Sequence, residues 1–167
     1  MDPVDPIEGA TGLGSNQADD EAAATRERDR YRDRGPEALP AGDDMAGVLG
    51  VGEFLLAVHN VVSAAFEGQP QGSVGTATEC PLVGRLLLTT WRILLVGGGT
   101  TWCVDLGEIE EAVVSGSRLL LVLPRGIGLA VDLGQPRLVR VQVAAARRDL
   151  LEDRAGNPGW QRQAAPD

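Results

Sequence analysis

The sequence contains no lysine; all 15 of its basic residues are arginine. That absence excludes a Walker A phosphate loop, a Schiff-base enzyme and a kinase built on a catalytic lysine. One histidine and two cysteines are too few for a zinc finger or a disulfide scaffold, so no metal and no cofactor are expected. Aromatic residues make up only 4% of the chain. Positive charge is also scarce: 24 acids against 15 arginines give a net charge of −9. So acidic a chain is not expected to bind nucleic acid, where phosphate neutralisation leads affinity. No Gly-x-Ser-x-Gly elbow occurs, and Gly126-x-Gly128 has Val131 where a dinucleotide fingerprint needs a third glycine. The reading is therefore of a protein that is not an enzyme.

What is present suffices for a core. The 167 residues are 43% apolar, enough for one domain with tails. Charge is uneven along the chain. Residues 1–44 hold 12 acids and 5 arginines, while 45–152 hold 10 acids and 8 arginines. The acidity thus belongs mostly to the leader. The leader has no apolar periodicity and carries Pro3, Pro6, Pro36 and Pro40, so 1–44 is expected to be disordered. Within it, Arg26 to Arg34 alternates arginine with Glu, Asp or Tyr. It reads as a solvated polyampholyte, with a docking strip or short helix as the alternative. The tail, 153–167, contains Gly156, Pro158, Gly159 and Pro166 and is expected to be flexible.

Asp2, Asp5 and Glu8 stand where a signal peptide would be basic, and no apolar run follows them. Met45 to Phe66 is largely apolar, but Glu53 lies inside it. A central acid costs about 2.5–3.5 kcal/mol on insertion. A cytoplasmic protein is expected, with peripheral attachment at the inner membrane face as the alternative.

From Gly52 onward the pattern is of strands and turns. Glu53 to Val62 is a first strand, which Ser63 to Glu67 either continues or leaves. Gly68 to Gly75 is a loop. A strand from Gly84 ends at Thr89, a turn falls at Thr90 and Trp91, and Arg92 opens the next strand. Gly97 to Gly99 forms a hairpin tip where positive φ is free. Thr100 to Leu106 returns with Trp102, Val104 and Leu106 on one face. Ala112 to Ser115, Leu119 to Leu123 and Gly126 to Leu133 follow, separated by Gly116-Ser117 and Pro124. The last element changes period. Pro136 suits a helix start, and Val139, Val143, Ala146 and Leu150 recur at steps of four, three and four. The fold class is mostly β: six or seven antiparallel strands in a barrel or sandwich, capped by one C-terminal helix.

Gly84-x-Leu-x-Leu-Thr-x-x-Arg-x-Leu, with Thr89 and Arg92 around a tight turn, resembles the GRAM and bacterial PH-like domains. Gly52-Glu53 looks like that family's opening, and Val104 to Ile109 like the strand end before its next hairpin. The resemblance covers about residues 45–152. It implies a PH-like, non-catalytic binding module; members take phosphoinositides, peptides or proteins. Lipid-binding members hold phosphate with Lys and Arg near the first hairpin. Here no Lys or Arg lies between Gly50 and Gly84. The resemblance therefore implies a protein or peptide partner, with anionic membrane lipid or a structural assembly as alternatives.

Several residues stand out. Arg92 either meets an anionic ligand or fixes the hairpin by pairing with a carboxylate or carbonyls. Trp91, at the turn, is either a contact residue or a packing lid, because an exposed Trp is a common interface anchor. Trp102 reads as core. Arg137, Arg140 and Arg147 on the helix would complement an acidic partner beside an open sheet edge, where an extended segment could add. The acidic leader, tethered nearby, could fold back on that surface. Glu108, Glu110 and Glu111 read as solvated, His59 as a tolerated strand residue, and Cys80 and Cys103 as ordinary buried or half-buried thiols. Val104-Asp105-Leu106-Gly107 recurs as Val131-Asp132-Leu133-Gly134, a strand exit used twice.

Overall fold

A computed structural model describes residues 12–42, 47–67 and 84–156. Seven strands form one antiparallel sheet: β1 (Leu55–Glu67), β2 (Gly84–Thr89), β3 (Arg92–Gly97), β4 (Thr100–Asp105), β5 (Glu111–Ser115), β6 (Arg118–Leu123) and β7 (Ile127–Leu133). Among the described residues two α-helices accompany them, α1 (Gly12–Arg34) and α2 (Pro136–Gly156). The spatial order is β4-β3-β2-β1-β7-β6-β5, so β4 and β5 are the two edges. The mostly β class with a closing C-terminal helix is thus the observed one.

The long β1 is shared. Its first half pairs with β2, its second half pairs with β7, and a bulge between Val61 and Ser63 separates them. A bulge adds bend and twist to a strand. The sheet therefore curls, and its inner residues meet in one cluster: Leu86, Leu88 and Ile93 from one half, Leu121, Leu129 and Val131 from the other. The helical stripe Val139, Val143, Ala146 and Leu150 is buried in that same cluster. β2 and β3 read as continuous apolar runs because both their faces are covered. Leu87 and Leu94, register partners on the outer face, pack with Leu55 beneath Val48 and Leu49.

Gly84 is fixed by a close approach. A Cβ there would collide with the Val96 carbonyl oxygen and lie 2.9 Å from the Gly97 Cα. Gly98 and Gly99 take positive φ of 57° and 77°, as the β3–β4 tip requires.

Residues 12–34 overturn the expectation of a disordered leader. They form α1, which lies against α2. The physical reason is that its docking stripe is polar. Asp20, Ala24, Glu27 and Tyr31 recur at steps of four, three and four, and Asp20, Ala24 and Tyr31 are buried. Pairs Glu27–Arg30 and Asp29–Arg32 support the helix along its length. It ends where Gly35, at φ 71°, donates its amide to the Tyr31 carbonyl at 3.0 Å, a left-handed cap. Leu39 then bridges to Leu55 at the start of β1. At the other terminus α2 extends through Gly156, so residues 153–156 of the expected tail are helical. Residues 1–11, the Gly68 to Gly75 loop and Cys80 lie outside the described residues.

Candidate functional site

Three polar arrangements radiate from the barrel, and two of them are structural. The first is the Thr89–Arg92 turn. Arg92 forks onto Glu53, with Nε to Oε1 and Nη2 to Oε2 both at 2.8 Å. Glu53 also accepts the Thr89 hydroxyl at 2.7 Å and the Gly50 amide at 2.7 Å. Its side chain is 0% exposed, that of Arg92 31%. Burial opposes the charged carboxylate, but the bonds from Arg92, Gly50 and Thr89 outweigh it and hold Glu53 below its ordinary pKa. The hydrogen bonds to Glu53 in turn raise Arg92. Arg92 also donates to the Val48 carbonyl at 3.1 Å. Its Nε and Nη2 pin the segment before β1 to the β2–β3 turn, while Nη1 faces the Cys103 thiol on β4 at 3.8 Å.

Trp91 is half-buried and packs against the core, with its ring beside Gly50 and Gly52. It closes one end of the barrel near Leu56 and Leu150. Trp102 is also half-buried rather than fully in the core. Its ring lies 4.9 Å from that of Phe66. Cys103 is exposed, because it sits on the outer face of the edge strand β4; the expectation of a buried or half-buried thiol is corrected there. Glu108, Glu110 and Glu111 are all exposed.

The second arrangement is the junction of the two helices. Asp20 accepts the backbone amides of Arg137 at 2.9 Å and Leu138 at 3.0 Å. A carboxylate on another element thus does the work of an N-cap for α2. The Arg137 side chain is drawn to the same helix, with Nε 3.0 Å from Glu21. Further along, His59 Nε2 lies 2.7 Å from Gln142 Oε1, and the Gln142 amide donates to Glu27 at 2.9 Å. Because the amide nitrogen is committed to Glu27, its oxygen accepts and His59 carries its proton on Nε2. Burial pushes the His59 pKa down. The Arg30 guanidinium, forked onto Glu27 at 2.8 and 2.9 Å, holds that carboxyl below its ordinary value. One chain of polar contacts therefore joins β1, α2 and α1.

The third arrangement is a groove of about 600 Å³. From α1 it is lined by Arg28, Tyr31 and Arg32. From α2 come Arg140, Val141, Ala144, Ala145 and Arg148, and Ala112 of the edge strand β5 closes the side. The helical period explains the lining: Arg140, Ala144 and Arg148 are one turn apart, as are Arg28 and Arg32. Four guanidinia thus rim a floor of small side chains, and no acid belongs to the lining. Arg32 is held by Asp29 at 3.2 Å and Arg148 by Asp149 at 3.2 Å. Arg28 and Arg140 are exposed and have no ion pair or hydrogen bond among the described residues. Tyr31 is 4% exposed, and its buried hydroxyl lacks a hydrogen-bond partner among those residues. Desolvation pushes that hydroxyl up to about 12, so it stays a neutral donor.

Of the residues singled out from sequence, then, only Arg140 lines this groove. Arg137 is taken by α1, Arg92 by Glu53, and Trp91 lies at a separate pocket. Arg147 is half-buried, with an Nε that has no partner among the described residues. Arg28, Tyr31 and Arg32 belong to the Arg26 to Arg34 run, for which a docking strip or short helix is the alternative reading, and Arg148 lies one residue beyond Arg147 on α2. The signal for the three from α1 is that arginine-rich run with the leader's one aromatic, Tyr31, inside it; Arg148 has its signal in the helical step of eight from Arg140.

No protein-family model matches this chain, and no curated protein matches it. Among solved structures, the crystal structure of the C-terminal domain of an unknown protein from Leishmania infantum is similar to it at 17% identity. The match covers 59% of this chain and 84% of that one, with a TM-score of 0.39. So distant a likeness carries no argument about the site.

Proposed function

We propose that the chain is a PH-like, non-catalytic interaction module that takes a protein or peptide segment in the groove between α1, α2 and the β5 edge. The observation that carries this reading is the groove's make-up: guanidinia around small apolar side chains beside an open strand edge. Such a surface offers main-chain pairing, apolar contact and charge together. The PH-like reading is supported by the strand order, the shared β1, the closing helix and the Glu53 anchor of the Thr89–Arg92 turn. Among the described residues no helix is long and apolar enough to cross a membrane.

Selection of displayed random peptides on the full chain tests the reading. Enrichment on the natural chain that is lost on Ala144→Trp, which fills the groove, is the expected result. Equal enrichment on both, or none, overturns it. Flotation with phosphatidylserine vesicles completes the test. Salt-sensitive flotation without peptide enrichment would replace the peptide reading with peripheral attachment to anionic lipid.

A further inference from the structure

We infer that the groove is an acidic-peptide site assembled by the docking of α1, so that ligand binding and α1 docking stabilise each other. The inference rests on the module reading above and adds the partner's chemistry and its coupling.

Charge is the first argument. The chain has 24 acids and 15 arginines, yet this lining holds four arginines and no acid. On the two helices Arg30 is matched by Glu27 and Arg137 by Glu21, whereas Arg26, Arg28, Arg34, Arg140 and Arg147 have no ion pair among the described residues; of these five only Arg28 and Arg140 line the groove. Arg28 and Arg140, one from each helix, are left without partners among the described residues. Unopposed guanidinia across one groove attract carboxylates, which they can hold with two parallel bonds. The second argument is the Tyr31 hydroxyl, a buried donor with no acceptor among the described residues. Such groups are normally satisfied, and Tyr31 is one of the residues that line this groove. The third is the floor: Ala112, Ala144 and Ala145 leave room for apolar side chains between the acids. An acidic peptide with interspersed apolar residues matches all three.

The coupling follows from who supplies the groups. Arg28, Tyr31 and Arg32 belong to α1, which is held on α2 through Asp20 and Glu27. Undocking α1 removes two of the four arginines and Tyr31. By linkage, a ligand that needs the docked form must strengthen docking by the same factor.

The test uses the full chain and a fluorescein-labelled dodecapeptide alternating Glu with Leu and Ala, beside its Gln counterpart. Expected are binding of the Glu peptide only, a loss of about tenfold or more for Arg28→Glu and for Arg140→Glu, and slower amide exchange across α1 with peptide bound. Asp20→Ala, which lies outside the groove, should speed α1 exchange and weaken the peptide. Equal binding by Arg28→Glu and the natural chain overturns the inference while leaving the module reading intact, as does preference for non-acidic peptides in the selection above. Flotation on phosphatidylserine vesicles with no peptide binding overturns both readings.

Discussion

The two faces of α2 are built on opposite physics. One face sets Val139, Val143, Ala146 and Leu150 into the barrel core. The other meets α1 through carboxylates and an amide, with Ala24 and Tyr31 buried beside them: Asp20 on two backbone amides, Glu27 on Gln142, Gln142 on His59. Apolar burial is non-directional and roughly proportional to area. The polar junction is directional, fixes register, and each of its bonds adds little net stability because water competes for the same groups. The difference teaches that α2 is committed to the barrel, whereas α1 is held in a defined place by modest free energy.

The largest effect should come from the apolar side. Leu121→Ala, on β6 beneath α2, removes a fully buried side chain and should cost about 2–5 kcal/mol. Urea unfolding should show it as one cooperative loss. Next is Arg92→Met, which strands a carboxylate whose side chain is 0% exposed. A loss of about 3 kcal/mol is expected, and the midpoint should recover as pH falls and Glu53 takes up a proton. Asp20→Ala should cost about 1 kcal/mol, as other lost caps do. Its signature is location: amide exchange should quicken in α1 and the first turn of α2 and stay unchanged in β2 and β3. Equal quickening throughout would show that the two faces of α2 are one cooperative unit.

The smallest effect is that of pH on His59. Burial lowers its pKa below 6.5, so between the lowered value and 6.5 the unfolded chain binds more protons than the folded one. Stability therefore rises with pH through that window and is lost as pH falls below about 6.5. Thermal unfolding from pH 7.5 to 5.5 should show the slope, and His59→Gln should flatten it. An unchanged slope in that variant would move the titration to another group.

The strands were legible because each has a plain physical signature. Thr89 and Arg92 bracket the observed β2–β3 turn, Gly98 and Gly99 take the positive φ expected of the tip, and Pro124 ends β6. The stripe on α2 was legible for the same reason, since apolar burial leaves a period of 3.6. α1 was not. Its stripe Asp20, Ala24, Glu27 and Tyr31 has the right spacing but the wrong chemistry for a search based on hydrophobicity. Its value depends on partners more than one hundred positions away, which no local window contains. The repeated Val-Asp-Leu-Gly shows the same limit. Asp105 accepts the Gly107 amide at 2.6 Å and so turns the chain, while Asp132 pairs with Arg118 at 3.0 Å and with Ser63 at 2.6 Å across the sheet. Identical letters serve different tasks because their neighbours in space differ. Arg140 was found by its place on the helix, whereas the groove it faces needed α1.

The carboxylate that completes the first turn of α2 comes from Asp20, 117 positions before Arg137. On a ribosome α1 emerges before every strand, and its dock is made only after β7 has been synthesised. Until then its polar stripe has nothing to hold, and the helix must wait as a solvated, arginine- and acid-rich segment that offers nascent neighbours little to stick to. Docking α1 is a long-range contact, and the loop it closes spans the whole sheet. The closing of that helix is thus a structural mark that α2 has been made and seated.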